Sequence, residues 1–128
     1  HPKAAYAWLQ IAEGAYEQMP EDWWFLPPSA EKDQVHTQIA VSAYQDVTRR
    51  YPETVEAETA QKRITECRAR LAKHELYVAN FYLRRGHIKA AEKRLEEMLK
   101  TYPDVGLEAE AAAMLEQCKL QATLAQKP

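Results

Sequence analysis

Cysteine, histidine and paired carboxylates are the side chains here that could do chemistry, and their spacing argues against it. Cys67 and Cys118 are too few for a disulfide framework and too few for a zinc site built from thiolates. Each falls on an apolar helical face, where a free thiol behaves as a small hydrophobe. The spacings of His36, His74 and His87 match no metal motif, and His36 shares a face with apolar residues. Glu96, Glu97, Glu108 and Glu110 could act as paired acids, but they stand among lysines on solvated faces. No nucleophile has a base at usable spacing and no Gly-rich loop could cradle phosphate, so the sequence offers no catalytic residue, cofactor or metal.

Arg49, Arg50, Arg68, Arg70, Arg84 and Arg85 could make a basic stripe. Two readings fit them: solvated faces paired to glutamates one turn away, such as Glu66 with Arg70, or arginines kept for a partner's carboxylate. Nucleic acid fits poorly, because 17 basic residues face 19 acidic ones and the net charge is -2. The other candidate is the run Trp23, Trp24, Phe25 and Leu26, flanked by prolines. Either it folds back over the groove between the first two helices, or it presents an aromatic patch to a partner, a membrane surface or another copy of the chain.

The elements that must carry these residues are helices. Three glycines, 46% hydrophobic residues and much Ala, Glu, Lys and Leu predict an all-α chain. From Lys3 to about Gln18, Ala5, Trp8, Leu9, Ala12, Ala15, Tyr16 and Met19 recur at helical spacing after a first-turn proline. Residues 20–32 hold three prolines and no period, which reads as an inserted loop. A second helix is expected from Asp33 to Arg50, burying His36, Ile39, Ala40, Ala43, Tyr44 and Val47, and ending at Tyr51-Pro52. From Val55 no Gly or Pro interrupts the pattern until Gly86, so one long helix or two abutting ones should follow. Ile88 to Thr101 and Leu107 to about Leu124 complete five helices, the last burying Ala111, Met114, Leu115 and Cys118 as a cap. No apolar run reaches the ~20 residues that cross a bilayer.

Sliding the chain by 51 residues sets Tyr51-Pro52 on Tyr102-Pro103, Tyr44 on Leu95, Ala60 on Ala111, Ile64 on Leu115 and Cys67 on Cys118. Within 72–105 the order Val78-Ala79, Tyr82, Gly86, Ala91, Leu95, Pro103 fits a tetratricopeptide repeat, with Glu75 where an aromatic is usual. The expected architecture is an α-solenoid of such hairpins: one repeat over 33–72, one over 72–105, a capping helix over 107–124, and a long helix joining the two repeats. Such a pattern specifies a scaffold and names no ligand.

One stretch is more specific. Arg68, Arg70, Leu71, Ala72, then His74, Glu75, Val78, Ala79, Phe81, Tyr82, Arg85, Gly86, then Ala91, Arg94, and finally Met98, Leu99, Tyr102, Pro103, Asp104 together resemble the C-terminal tetratricopeptide region of the BamD family. This family, also called ComL or YfiO, comprises outer-membrane lipoproteins of the β-barrel assembly machinery. Upstream, Asp33-Gln34, Ala40, Tyr44, Arg49-Arg50-Tyr51-Pro52 and Ala57 agree with it, whereas 20–32 departs from it. The resemblance implies a non-enzymatic periplasmic protein, held to the inner leaflet of the outer membrane by an N-terminal lipidated cysteine. Because the chain opens on His1 inside a running pattern, it is expected to be a fragment lacking that anchor. It further implies docking onto BamA, the barrel-bearing component, alongside other assembly lipoproteins, with Arg94 at the contact and Arg85 near it. Trp23, Trp24 and Phe25 have no counterpart in the family pattern and are expected as a further contact. A generic tetratricopeptide module, binding peptides or serving as an envelope co-chaperone, is the competing reading.

Overall fold

The structure is a computed structural model that describes residues 2–19 and 34–126. All regular structure among them is helical: α1 (Pro2–Glu17), α2 (Gln34–Arg50), α3 (Val55–Arg84), α4 (Ile88–Thr101) and α5 (Glu108–Ala125). Each helix packs along its neighbours in sequence. In addition α1 meets α3, and α3 meets α5, along their edges. The chain is therefore a run of helical hairpins of the tetratricopeptide type.

The 30 residues of α3 form one continuous helix, about 45 Å long at 1.5 Å per residue. Local chemistry sets both of its ends. Thr54 is the N-cap: its backbone is extended and its Oγ1 accepts the Ala57 N–H at 3.1 Å, with Glu56 and Glu58 in the first turn. At the other end Gly86 takes φ +81°, so the Gly86 N–H reaches Leu83 O at 3.1 Å and the His87 N–H reaches Tyr82 O at 2.9 Å. This doubled closure satisfies two carbonyls of the last turn and reverses the chain into α4.

The repeat seen in the sequence returns as geometry. Tyr51 N–H donates to Val47 O at 2.9 Å, and 51 residues later Tyr102 N–H donates to Met98 O at 2.8 Å. Pro52 and Pro103 then stop the two helices. Tyr44 and Leu95, Ala60 and Ala111, and Cys67 and Cys118 are all fully buried, while Leu115 is only half-buried where Ile64 is buried.

Two apolar clusters fill the interior. One joins α1, α2 and α3 up to Leu71; the other takes α3 from Ala72 with α4 and α5. Tyr102 packs against both. Arg68, in the middle of α3, holds that junction: its guanidinium lies 5.3 Å from the Tyr102 ring centroid and donates to Thr101 O at 3.2 Å and Asp104 Oδ1 at 2.7 Å. A rigid α3 shared by two cores and pinned at its midpoint couples the two hairpins mechanically.

One expectation fails on α2. His36 is exposed and Ile39 is 51% exposed, while Thr37 is fully buried. The buried stripe is Thr37, Ala40, Tyr44 and Val47: it keeps Ala40, Tyr44 and Val47 of the expected face and takes Thr37 in place of His36 and Ile39. Residues 36 and 37 stand four and three positions before Ala40, so helical spacing suits either. Tyr44 and Val47 fill the cluster under α1 and α3, and the rotation that seats them turns Thr37 inward and His36 out.

Candidate functional site

Arg94 and Glu75 meet across the α3–α4 hairpin. Arg94 Nη1 stands 3.2 Å from both Glu75 carboxylate oxygens, and the side chains are 25% and 17% exposed. Glu75 sits in the third quarter of the continuous α3, and Arg94 two turns into α4, where Ala91 and Leu95 beside it are buried. Arg94 thus leaves the apolar stripe only to be gripped by an acid of the facing helix.

Two hollows open on Arg94. One, of about 150 Å³, is lined by Glu75, Arg94, Glu97, Met98, Thr101 and Tyr102. The other, of about 320 Å³, has Tyr82, Ala90, Lys93, Arg94 and Glu97 in its walls. Arg94 and Glu97 belong to both, so the guanidinium lies between two surface openings. A carboxylate entering either hollow would meet a fork already oriented by Glu75, in an environment drier than bulk water.

Arg85 is placed elsewhere. It caps the C-terminus of α3, is exposed, and holds its guanidinium 3.8 Å from the Phe81 ring centroid. It lines a separate hollow, with Tyr77, Asn80, Phe81 and Arg84, that shares no residue with those around Arg94. Trp23, Trp24 and Phe25 lie outside the described residues.

The sequence signal for Glu75 was its departure from the repeat pattern. In the first hairpin Ala5 and Ala12 are buried as Ala72 and Ala79 are in α3, and Ala40 and Tyr44 match Ala91 and Leu95. In that register Trp8 stands where Glu75 stands, and Ala43 where Arg94 stands; both line one groove between α1 and α2. An aromatic and a small residue in the groove of one hairpin are replaced by an acid and an arginine in the next, so apolar side chains give way to a paired charge at equivalent positions.

A second polar group ties α1 to α3. Tyr16 Oη donates to Glu66 Oε2 at 2.9 Å and accepts from Arg70 Nη2 at 3.3 Å, while Arg63 bridges Glu13 at 3.3 Å and Glu66 at 3.2 Å. Glu66 is therefore taken by Arg63 and Tyr16, while Arg70 serves the tyrosine hydroxyl. Burial, then the bond to Glu66, raises the Tyr16 hydroxyl above its usual range. Burial does the same for Tyr44, reinforced by Glu13. For Arg63 burial works against the charge, but Glu13 and Glu66 outweigh it and keep the guanidinium protonated. These are the signatures of an interhelical staple made of satisfied charges.

Burial pushes the Cys67 thiol up to about 11 and raises that of Cys118, which leaves both unreactive at neutral pH. No group of three or more His, Cys, Asp or Glu among the described residues is arranged to hold a metal ion, and no described helix is long and apolar enough to cross a membrane.

Comparison with known proteins narrows what such a surface serves. The profile of the YfiO family, described as an outer membrane lipoprotein, matches residues 1–127. Among curated proteins the chain is similar to outer membrane protein assembly factor BamD of Vibrio cholerae serotype O1, 39% identical over 74 residues, or 58% of this chain and 31% of the relative. The BamD of Xylella fastidiosa strain 9a5c is 36% identical over 92 residues, 72% of this chain and 31% of the relative. That of Caulobacter vibrioides is 29% identical over 102 residues, 80% of this chain and 31% of the relative. The chain thus spans under a third of the length of these relatives.

Proposed function

The chain belongs to the YfiO family of outer membrane lipoproteins, and from that premise we propose that it works as a non-enzymatic binding scaffold in outer-membrane protein assembly. Its site is the α3–α4 surface around Arg94, and the partner docking there is the BamA-like, barrel-bearing component of the machinery. Other assembly lipoproteins bind the same complex. The whole protein works at the periplasmic face of the outer membrane, tethered through an N-terminal lipid anchor. Trp23, Trp24 and Phe25 provide a further contact for a partner.

The observation that carries the docking proposal is that Arg94, held by Glu75, lines two surface hollows. Glu75 keeps the guanidinium in one orientation, so little side-chain freedom is lost when a partner's acid shares it. Charge reversal at Arg94 would set a third acid beside Glu75 and Glu97 against an incoming carboxylate and abolish that recognition.

Capture from Gram-negative envelope extract on the immobilised chain tests this, comparing wild type with Arg94→Glu and following the BamA-like component by mass spectrometry. Retention by wild type and loss in the variant is expected, with circular dichroism showing that both are folded. Unchanged capture by Arg94→Glu would overturn the assignment of the docking site.

A further inference from the structure

No acid occurs between Glu75 and Glu92, and no other stretch of the chain runs as long without one. Within it lie Arg84, Arg85 and Lys89, together with His87, at the turn from α3 into α4. A chain whose net charge is -2 thus carries three uncompensated cations at one hairpin tip. All four residues are exposed. Neither Arg84 nor Arg85 has a carboxylate partner among the described residues, whereas Arg49, Arg63, Arg68 and Arg94 each have one. Glu110 lines the trough beside Tyr77 and Asn80 and pairs with neither arginine.

The tip is also arranged in advance. The Arg85 guanidinium lies 3.8 Å from the Phe81 ring centroid, Phe81 meets Tyr82 edge-on at 6.0 Å, and Tyr82 meets His87 edge-on at 6.2 Å. Phe81 and Tyr82 are half-buried, so the rings that hold Arg85 and His87 are themselves seated on the helix. Gly86, at φ +81°, fixes the turn between them. The hollow that Arg84 and Arg85 line holds about 140 Å³, well below the ~300 Å³ at which ligand pockets begin, so recognition falls to the outer surface of the turn.

We propose that this tip rests on an anionic lipid surface, with Arg84, Arg85 and Lys89 against headgroup phosphates. Membership of a family of outer membrane lipoproteins brings such a surface within reach, and the choice of lipid rests on the tether proposed above. An acidic protein face is the competing occupant. On a fully solvated turn, however, single ion pairs contribute little, whereas a sheet of phosphates acts on all three cations at once. Each cation strengthens adsorption to an anionic leaflet about fivefold, and three together about a hundredfold. That is too little to hold a free chain firmly and enough to orient a tethered one. Arg94 lies about 9 Å along α4 from Ile88, so the same contact keeps the docking surface close to the headgroups.

Titration of the full, nitrogen-15-labelled chain with bicelles, followed by NMR, tests the proposal. Bicelles containing phosphatidylglycerol should shift the amide signals of residues 84–89 saturably, and phosphatidylcholine bicelles should not. Salt at about 0.5 M should erase the shifts by screening. Arg84→Ser/Arg85→Ser/Lys89→Ser should weaken binding about a hundredfold, its spectrum showing that it is folded, and the change of lipid gives the same answer with no substitution at all. Absence of shifts at the tip with phosphatidylglycerol, or equal shifts with phosphatidylcholine, would overturn the proposal. The same shifts from inorganic phosphate at equal phosphorus would reduce the site to one for free anions. Shifts from hexaglutamate without any from the bicelles would reassign it to an acidic protein. The Arg94 assignment is judged separately, because the extract capture follows a protein and this titration a lipid.

Discussion

Arg94 Nη1 lies equidistant, at 3.2 Å, from the two carboxylate oxygens of Glu75, where the preceding hairpin places Ala43 and Trp8. One structural position of the repeat is thus filled by two chemistries. The first hairpin places an aromatic and a small apolar side chain in one groove, and the second a partly buried charge pair.

That equivalence predicts how the pair can be replaced. Arg94→Ala or Glu75→Ala should each cost about 1–2 kcal/mol, because each leaves a partly buried charge without its partner. Glu75→Trp combined with Arg94→Ala rebuilds the arrangement of the first hairpin and should recover most of that loss. Urea denaturation of the four proteins checks it, with a coupling of about 1 kcal/mol or more expected between the sites. Additive losses would show that the two hairpins are not interchangeable here.

Glycine offers a paired comparison. At Gly14 and at Gly86 an added Cβ would meet nothing within 4 Å, but only Gly86 has positive φ, at +81°. Gly86→Ala should therefore destabilise by about 1–2 kcal/mol through backbone strain alone. Gly14→Ala, inside α1, should stabilise by about 0.5–1 kcal/mol. Thermal melts of the two variants should shift in opposite directions.

The Cys67 thiol sets an alkaline limit. Its value rises from the usual 9 to about 11 by burial, so above pH 9 the unfolded chain loses the proton first while the native state keeps it. Stability from this group is complete below about pH 9 and is lost as pH rises through 11, a total of about 2–3 kcal/mol at ~1.4 kcal/mol per pH unit. Tyr16, Tyr44 and Tyr102 are also raised by burial and add losses of the same sign at higher pH. Cys67→Ala retains those tyrosines. Its stability should fall less steeply than that of wild type between pH 9 and 11, measured by urea titration at each pH.

Much of the helical framework could be read from the residues because its causes are local. Thr54, Gly86 and the Tyr-Pro stops mark ends through backbone chemistry confined to one turn, and α4 falls on Ile88–Thr101 as its stripe predicts. Helix rotation is less local. On α2 the expected face held Ala40, Tyr44 and Val47, which are buried, but also His36 and Ile39, which are not; helical spacing from Ala40 suits residue 36 as well as residue 37, and only the space offered by α1 and α3 chose Thr37.

Composition and period were enough to specify an all-helical run of hairpins, the 51-residue repeat and two inert thiols, since burial of an apolar stripe depends on few neighbours. The long α3 joining two repeats was legible too, from the absence of any breaker between Val55 and Gly86. Pairing did not follow from composition and period. That Arg94 is taken by Glu75 rather than left pointing outward, and that Arg85 opens into a different hollow, were settled by packing. Where a long charged side chain ends depends on which partner lies within reach, and residues 19 positions apart come within reach only when the α3–α4 hairpin closes.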